Sequence, residues 1–280
     1  MTLTGRARLA GVMGWPVAHS LSPRLHGYWL KQYGIDGAYV PLPVRPERLG
    51  HALRALADLG FAGCNLTVPH KEAALAALDE VAEDARRIGA VNTVLVRSDG
   101  ALYGWNTDIE GFAQSLTSAL PDWRMAGKQA VVLGAGGAAR AVVAALQKLG
   151  AADVAVVNRT LGRAEALAAA LGQSVRSQPW ERLEEVLRSA SLLVNTTSLG
   201  MAGKPSLSID LAPLREEAVV AVVVYTPLET ALLAAARQRG HSVVDGLGML
   251  LYQAVSGFEA WFGRRPEVTP ELRSFVLAPS

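Results

Sequence analysis

Cysteine is almost missing from this chain: Cys64 is the single one. No intrachain disulfide can form, as expected of a protein kept in a reducing cytoplasm. Neither sign of charge is in excess. A formal net charge of +2 over 280 residues gives no basic field with which to hold nucleic acid or an anionic membrane surface. Long apolar runs are lacking too. The longest, Ala218 to Tyr225, falls far short of the roughly 20 residues a membrane-spanning helix needs. Arg6 and Arg8 precede a short apolar segment, but Trp15-Pro16 interrupts it with no small-residue cleavage site, so a signal peptide is not expected. His, Asp and Cys do not gather at metal-binding spacings, so no metal is expected. Low-complexity segments and short repeats are also missing. What is present is a hydrophobic half and 19% charged residues, enough for a sizeable core in one large domain or two ordinary ones.

The stretch Val131-Val132-Leu133-Gly134-Ala135-Gly136-Gly137-Ala138-Ala139-Arg140 organises the rest. An apolar run, Ala130 to Leu133, reads as a buried strand; a glycine turn follows, then an Ala-rich helix over Ala138 to Leu149. This is a G-x-G-x-x-A dinucleotide fingerprint in its proper strand–turn–helix setting. Gly134 allows the turn, Gly136 lets the backbone approach a pyrophosphate, and Ala139 keeps helix and strand close. The phosphate is expected on the helix N-terminal N–H groups. A second strand, Val154 to Val157, ends in Asn158-Arg159-Thr160, with Arg163 one helical turn on. No carboxylate stands there to hold a ribose 2′-hydroxyl. Two guanidiniums and a hydroxyl suit a 2′-phosphate, and basic residues in a helix's first turn oppose its dipole unless an anion joins them. The expected cofactor is therefore NADP rather than NAD.

Before the fingerprint, Leu9 to Met13 and Ala38 to Leu42 read as strands, with a helix from Ser22 as N-cap and Pro23 as N1 to about Tyr33. Ser20 and Ser22 are either turn and cap formers or hydroxyls facing a polar ligand. Pro46 to Leu59 reads as an amphipathic helix, and Gly63 to Thr67 as a short strand running into a helix opened by Pro69. Thr67, His70 and Lys71 then sit at a strand's C-terminal end, where α/β proteins hold ligands. Lys71 lies in a first helical turn, where a cation is disfavoured. His70 reads as a structural histidine. Val81 to Ile88 reads as a solvated helical segment. Val91 to Val96 and Ala101 to Trp105 read as strands around a Ser98-Asp99-Gly100 hairpin turn. Asn92 and Asp108 are either local hydrogen-bonding residues, Asp108 beginning a helix over Ile109 to Leu120, or site residues. After Lys128, strands at Ala130–Leu133, Val154–Val157, Ser191–Asn195, Val219–Val224 and Ser242–Val244 alternate with helices at Ala138–Leu149, Gly162–Leu171, Glu181–Arg188 and Glu229–Arg239. That alternation means a parallel, doubly wound sheet. Helices from about Met249 to Phe262, after Gly246-Leu247-Gly248, and from Pro270 to Leu277 leave the pattern. The expectation is an α/β chain of two domains. Residues 1–107, completed by about 248–280, form a discontinuous substrate-binding and catalytic domain; residues 108–247 form a Rossmann-like NADP domain.

The ordered set Ser20-Leu21-Ser22-Pro23, Asn65-Leu66-Thr67-Val68-Pro69-His70-Lys71, Gly89-Ala90-Val91-Asn92-Thr93, Asn106-Thr107-Asp108, the fingerprint, Asn158-Arg159-Thr160, Asn195-Thr196-Thr197-Ser198-Leu199-Gly200-Met201 and Asp245-Gly246-Leu247-Gly248-Met249-Leu250-Leu251-Tyr252-Gln253-Ala254 resembles the shikimate dehydrogenases over nearly the whole chain. The resemblance implies reversible NADPH-dependent reduction of 3-dehydroshikimate to shikimate in aromatic amino-acid biosynthesis, by a cytoplasmic monomer or homodimer. By matching position it makes Lys71 and Asp108 the catalytic pair. It assigns Ser20, Ser22, Thr67, Asn92, Tyr225 and Gln253, with Lys71 and Asp108, to the substrate. It assigns Gly134, Ala135, Gly136, Gly137, Ala138, Asn158, Arg159, Thr160 and Arg163 to NADP, with Val223 and Gly246 near the nicotinamide. One stretch departs: where the family often reads Asp-x-x-Tyr-x-Pro, this chain has Val222-Val223-Val224-Tyr225-Thr226-Pro227. The competing readings are a quinate/shikimate dehydrogenase using NAD, which Arg159 and Arg163 oppose, and a non-catalytic sensor of nucleotide and a shikimate-like ligand, which retention of Lys71 and Asp108 opposes.

Overall fold

In the computed structural model, which describes residues 3–278, the chain enters its first sheet as β1 (Arg8–Gly14), with Ala10 to Gly14 all buried. There follow α1 (Ser22–Gln32), β2 (Gly37–Pro43), α2 (Leu49–Asp58), β3 (Phe61–Leu66), α3 (His70–Ala73), β4 (Glu80–Val81), α4 (Glu83–Ile88), β5 (Thr93–Val96) and β6 (Leu102–Trp105). Next come α5 (Asp108–Ala119), β7 (Gln129–Leu133), α6 (Gly137–Lys148), β8 (Asp153–Asn158), α7 (Leu161–Leu171), β9 (Val175–Pro179), α8 (Leu183–Leu187) and β10 (Leu192–Asn195). The chain closes with β11 (Val219–Val222), α9 (Ala231–Gln238), β12 (Ser242–Val244), α10 (Gly246–Phe262) and α11 (Pro270–Leu277). It divides into two units, Met1–Thr107 with Leu251–Ser280, and Asp108–Leu250.

The first unit holds a six-stranded sheet in the order β2-β1-β3-β5-β6-β4. Its first three strands are parallel; β5 runs antiparallel to β3 and to β6, and β4 runs parallel to β6. The β5–β6 hairpin turns at Gly100, whose φ of +83° is open to glycine, while Asp99 accepts the Ala101 N–H at 3.0 Å. Helix α2 packs Leu49, Leu53 and Leu56 onto Met13, Cys64 and Leu66, one stripe of an amphipathic helix. The helix expected from Pro46 starts only at Leu49, because Pro46–Arg48 forms a tighter 3₁₀ turn first. The Val81 to Ile88 segment is not simply solvated: Val81, Ala85 and Ile88 are buried, and its charges occupy the outer face.

The second unit also has a six-stranded sheet, with every pair parallel, in the order β12-β11-β10-β7-β8-β9. From β7 the chain winds out through β8 and β9, then returns to fill the other side. This is the doubly wound order, and the direction reverses between β7 and β10, the topological switch point at which such sheets hold ligands. Strand β9 was not expected. Its residues Arg176, Ser177 and Gln178 are polar because it is an edge strand with little to bury. Strand β11 stops at Val222 rather than Val224. The glycines Gly246 and Gly248, expected before α10, lie within it; Asp245 accepts the Leu247 N–H at 3.0 Å at the helix start. A Cβ on Gly246 would meet the Val223 and Val224 carbonyl oxygens at 2.5 Å, and one on Gly248 would meet Ser115 Oγ at 2.3 Å. Close packing, not a turn, requires those glycines.

Candidate active site

In the first unit, register brings one polar cluster to one end of the sheet. The C-terminal ends of the parallel strands β1 and β3 lie side by side, and the Thr67 N–H donates to Met13 O at 2.9 Å. Because β5 runs the other way, its first residue, Thr93, stands opposite Asn65 near the end of β3 and opposite Trp105 at the end of β6. The segments that leave these ends are Val17–Ser22, Thr67–Lys71, Ala90–Asn92 and Asn106–Thr107. The first three carry residues that the sequence singled out, and the fourth leads directly into Asp108.

The centre of the cluster is Asn92, 2% exposed. Its Oδ1 accepts the Thr107 N–H at 2.7 Å, the Thr107 hydroxyl at 3.2 Å and the Thr93 hydroxyl at 3.0 Å. Its Nδ2 donates to Thr107 Oγ1 at 2.9 Å and to Gln253 Oε1 at 3.3 Å. Gln253 comes from α10, far away in sequence, and is itself buried. Buried amides persist only when their hydrogen-bonding capacity is met, and here they meet one another's. Asp108, buried beside them in the chain, follows Thr107 directly and opens α5. A carboxylate in a first helical turn is favoured by the dipole.

Thr67 and Lys71 belong to the same end. The Val91 N–H donates to Lys71 O at 2.8 Å, tying the lysine's backbone to the residue before Asn92. His70 is buried, and its Nε2 lies 2.7 Å from Val44 O. A carbonyl only accepts, so that nitrogen carries the proton. Burial pushes the imidazole pKa below its usual range, against the opposing bond to Val44. His70 thus pins the start of α3 to the loop after β2. Ser20 and Ser22 pair locally: Ser20 Oγ accepts the Ser22 N–H at 3.3 Å. Ser22 is not the helix cap expected from the sequence. It is the first helical residue, Leu21 holds the cap position, and no side chain caps this helix. The buried Ser22 hydroxyl is therefore not committed to its own helix end.

In the second unit the glycine turn follows β7. Gly134 has φ +110°, and a Cβ there would come within 2.7 Å of Thr196 Oγ1; no other residue takes this backbone without strain. Ala135 and Ala139 are buried. Gly136 holds the cap position of α6 in extended conformation, no side-chain bond caps the helix, and a Cβ built on Gly136 meets nothing within 4 Å. Gly137 and Ala138 begin the helix. The first N–H groups of α6 therefore have no capping side chain, and the cap residue leaves space where a side chain would stand, which is the arrangement an anionic pyrophosphate needs. At the end of β8, Asn158 Nδ2 donates to Thr160 O at 2.8 Å. Arg159, Thr160 and Arg163 are exposed, and no acidic residue stands in the first turn of α7. Donors without a neighbouring first-turn acid are the chemistry a 2′-phosphate calls for.

The end of β11 supplies Val223, whose N–H donates to Asn195 O at 3.0 Å, and whose carbonyl packs against Gly246. Tyr225 follows, half-buried. Asn195 orders the loop after β10: its Oδ1 accepts the Thr197 N–H at 3.0 Å and hydroxyl at 2.7 Å, and its Nδ2 donates to Leu199 O at 3.1 Å. Several residues of these networks were not singled out from sequence as site residues: Asn65, Thr93, Thr107, Asn195, Thr196 and Thr197. Asn65 carried a legible signal, a lone amide inside the apolar run of β3. Among the described residues, no His, Cys, Asp and Glu side chains gather as a metal cluster, and no helix is long and apolar enough to cross a membrane.

Comparison with known proteins adds independent findings. Residues 12–94 match the shikimate dehydrogenase substrate binding domain, 115–202 match shikimate / quinate 5-dehydrogenase, and 246–270 match the shikimate 5′-dehydrogenase C-terminal domain. The chain is 57% identical to the shikimate dehydrogenase (NADP(+)) of Paramagnetospirillum magneticum over 99% of its own length and 100% of that protein's. A solved shikimate 5-dehydrogenase from Thermus thermophilus, in complex with NADP(H) and shikimate, superposes with a TM-score of 0.85 at 41% identity, covering 96% of this chain and 98% of that one. A quinate dehydrogenase from Corynebacterium glutamicum, in complex with NAD, superposes with a TM-score of 0.88 at 35% identity, covering 97% of this chain and 99% of that one.

Proposed function

The chain belongs to the shikimate dehydrogenase family, and from that premise we propose that it interconverts shikimate and 3-dehydroshikimate with NADP(H), as a cytoplasmic step of aromatic amino-acid biosynthesis. One observation carries the reading. A buried polar cluster of Asn92, Thr107 and Gln253 is built at the sheet end that also carries Thr67 and Lys71. A substrate with several hydroxyls needs such a site, and an analogue lacking one hydroxyl leaves a buried partner unpaired.

In this reading NADPH, when bound, supplies the hydride that reduces the ring carbonyl. Lys71, as the ammonium, gives a proton to the carbonyl oxygen as negative charge develops there. In the opposite direction the neutral amine takes the proton from the hydroxyl. Such positioned acid–base assistance contributes about 10²–10⁴-fold. Asp108 accepts a hydrogen bond from the reacting hydroxyl and orients the lysine. Asn92 and Gln253 hold ring hydroxyls, while Ser20, Ser22, Thr67 and Tyr225 complete the grip on hydroxyls and carboxylate. Gly134 to Ala138 cradle the pyrophosphate, Asn158, Arg159, Thr160 and Arg163 take the 2′-phosphate, and Val223 and Gly246 flank the nicotinamide. Residues 1–107 with about 248–280 act as the substrate domain, and 108–247 as the NADP domain. Monomer and homodimer both accommodate this division of labour.

Steady-state oxidation of NADPH by 3-dehydroshikimate tests the reading, with NADH and dehydroquinate as parallel arms. The expected result is turnover with NADPH and 3-dehydroshikimate at much higher kcat/KM than in either parallel arm. No turnover in any arm refutes it, and comparable efficiency with NADH and dehydroquinate transfers the assignment to a quinate/shikimate enzyme.

A further inference from the structure

Asn92 does not stand alone in the core of the first unit. On its inner side lies a hydrogen-bond chain in which every donor points the same way. The Tyr39 hydroxyl donates to Asn65 Oδ1 at 2.6 Å. Asn65 Nδ2 donates to Thr93 Oγ1 and to Asn92 O, both at 3.1 Å. The Thr93 hydroxyl donates to Asn92 Oδ1 at 3.0 Å, and Asn92 Nδ2 donates to Gln253 Oε1 at 3.3 Å. Register explains the reach. Tyr39 on β2 and Gly63 on β3 both pair with Ala10 of β1, while Asn65 pairs with Val12. Side chains two apart share a face, so Tyr39 and Asn65 project to one side of the sheet. Ala10 between them is small enough for the phenol to pass over. Asn65 stands directly opposite Thr93, a cross-strand pair.

The chain has one orientation because two backbone groups along it cannot reverse: the Asn92 carbonyl only accepts, and the Thr107 N–H, 2.7 Å from Asn92 Oδ1, only donates. Tyr39 is clamped from behind by His26, whose ring lies parallel to it at 3.9 Å between centroids, with Trp261 at 5.9 Å. The phenol donates its proton to Asn65 Oδ1, which leaves Nδ2 as the side facing Thr93 and Asn92. Turning the Asn65 amide over would set its NH₂ against the Tyr39 oxygen and its carbonyl against the Asn92 carbonyl, two acceptors face to face in a buried site.

We propose that Tyr39 and Asn65 are positioning residues for the substrate: by holding Thr93 and the Asn92 backbone they set where the Asn92 amide stands, and thereby what Asn92 and Gln253 offer to a hydroxylated ring. This rests on the substrate site proposed above. Tyr39 touches neither substrate nor cofactor in this scheme. Its hydroxyl satisfies the buried Asn65 Oδ1 and so holds Asn65 against Thr93 and the Asn92 carbonyl.

Tyr39→Phe tests it, because the ring and its stack on His26 remain and only the donor is lost. Leu56→Ala, in the same unit but outside the chain, serves as the control for general loosening. For Tyr39→Phe the expected result is a rise in the KM for shikimate of roughly tenfold, the size a mis-set buried hydrogen bond produces, with the KM for NADP unchanged. Leu56→Ala should leave both constants near wild type despite a lower Tm. In ¹⁵N-labelled protein the Asn92 side-chain amide resonances should move in Tyr39→Phe and stay in Leu56→Ala. An unchanged shikimate KM and unmoved amide resonances in Tyr39→Phe overturn the proposal, as does an equal rise in both variants. If the wild-type protein does not turn over shikimate at all, the shikimate reading is what fails. The amide resonances then decide by themselves whether Tyr39 sets Asn92.

Discussion

Thr196 holds the carbonyl of Leu133 twice, through its N–H at 2.9 Å and its hydroxyl at 2.6 Å. Leu133 ends β7 and Thr196 directly follows β10, the strands between which the sheet of the second unit changes direction. This clasp leaves Gly134 no room for a side chain on its Thr196 side. Gly134→Ala therefore combines an unfavourable backbone conformation with a steric clash. We expect a loss of about 1–3 kcal/mol of stability together with much weaker NADP(H) binding, read by denaturant unfolding and isothermal titration. Wild-type affinity in this variant argues against a phosphate cradle at this turn.

Lys71 lies in the single turn of α3, so the helix dipole gives no reason against a cation there, and Val91 secures its backbone next to Asn92. Lys71→Ala should lower kcat by at least about a hundredfold with a smaller change in KM, the pattern of a lost transition-state proton donor. Measured kcat near the wild-type value removes Lys71 from its assigned role.

Arg159 is exposed at the end of β8, and the first turn of α7 has no acid. Arg159→Ala should raise the KM for NADP by roughly an order of magnitude and leave the KM for NAD almost unchanged. An equal effect on both cofactors shows that the guanidinium does not read the 2′-phosphate.

His26 is wholly buried among Trp29, Tyr39, Phe258 and Trp261. Burial lowers its pKa from 6.5 to about 3, so the folded protein keeps this imidazole neutral while the unfolded chain takes up a proton below pH 6.5. The unfolded state binds more protons between those values, so this residue's contribution is intact above pH 6.5 and is lost as pH falls toward 3. The slope is about 1.4 kcal/mol per pH unit. Between pH 7.5 and 5, His26→Leu should therefore lose about 2 kcal/mol less stability than wild type. Urea unfolding at the two values measures the difference, and parallel losses in both proteins count against a neutral buried His26.

How much could be read beforehand depended on where each element's partners lie. The strands of the second unit are covered on both faces, so Ala130–Leu133, Val154–Val157 and Val219–Val222 are continuous apolar runs that announce themselves. Strand β9 has one free edge and reads Val-Arg-Ser-Gln-Pro; nothing in that run separates it from a loop. The glycines at 246 and 248 look like a turn until the Val223 carbonyl and Ser115 that press on them are known. Lys71, Asn92 and Asp108 could be picked out as unusual residues at strand ends. The partners that give Asn92 its orientation come from positions 39, 65, 93, 107 and 253, and only the sheet register brings them together.

The bare start of α6 has a practical consequence. A helix without its own cap is completed by whichever anion comes to rest there, so the protein's melting temperature becomes a property of its buffer as well as of its sequence. In the proposed reading, inorganic phosphate or sulfate competes for the seat of the pyrophosphate. Cofactor constants measured in such salts then understate what the site achieves in a zwitterionic medium.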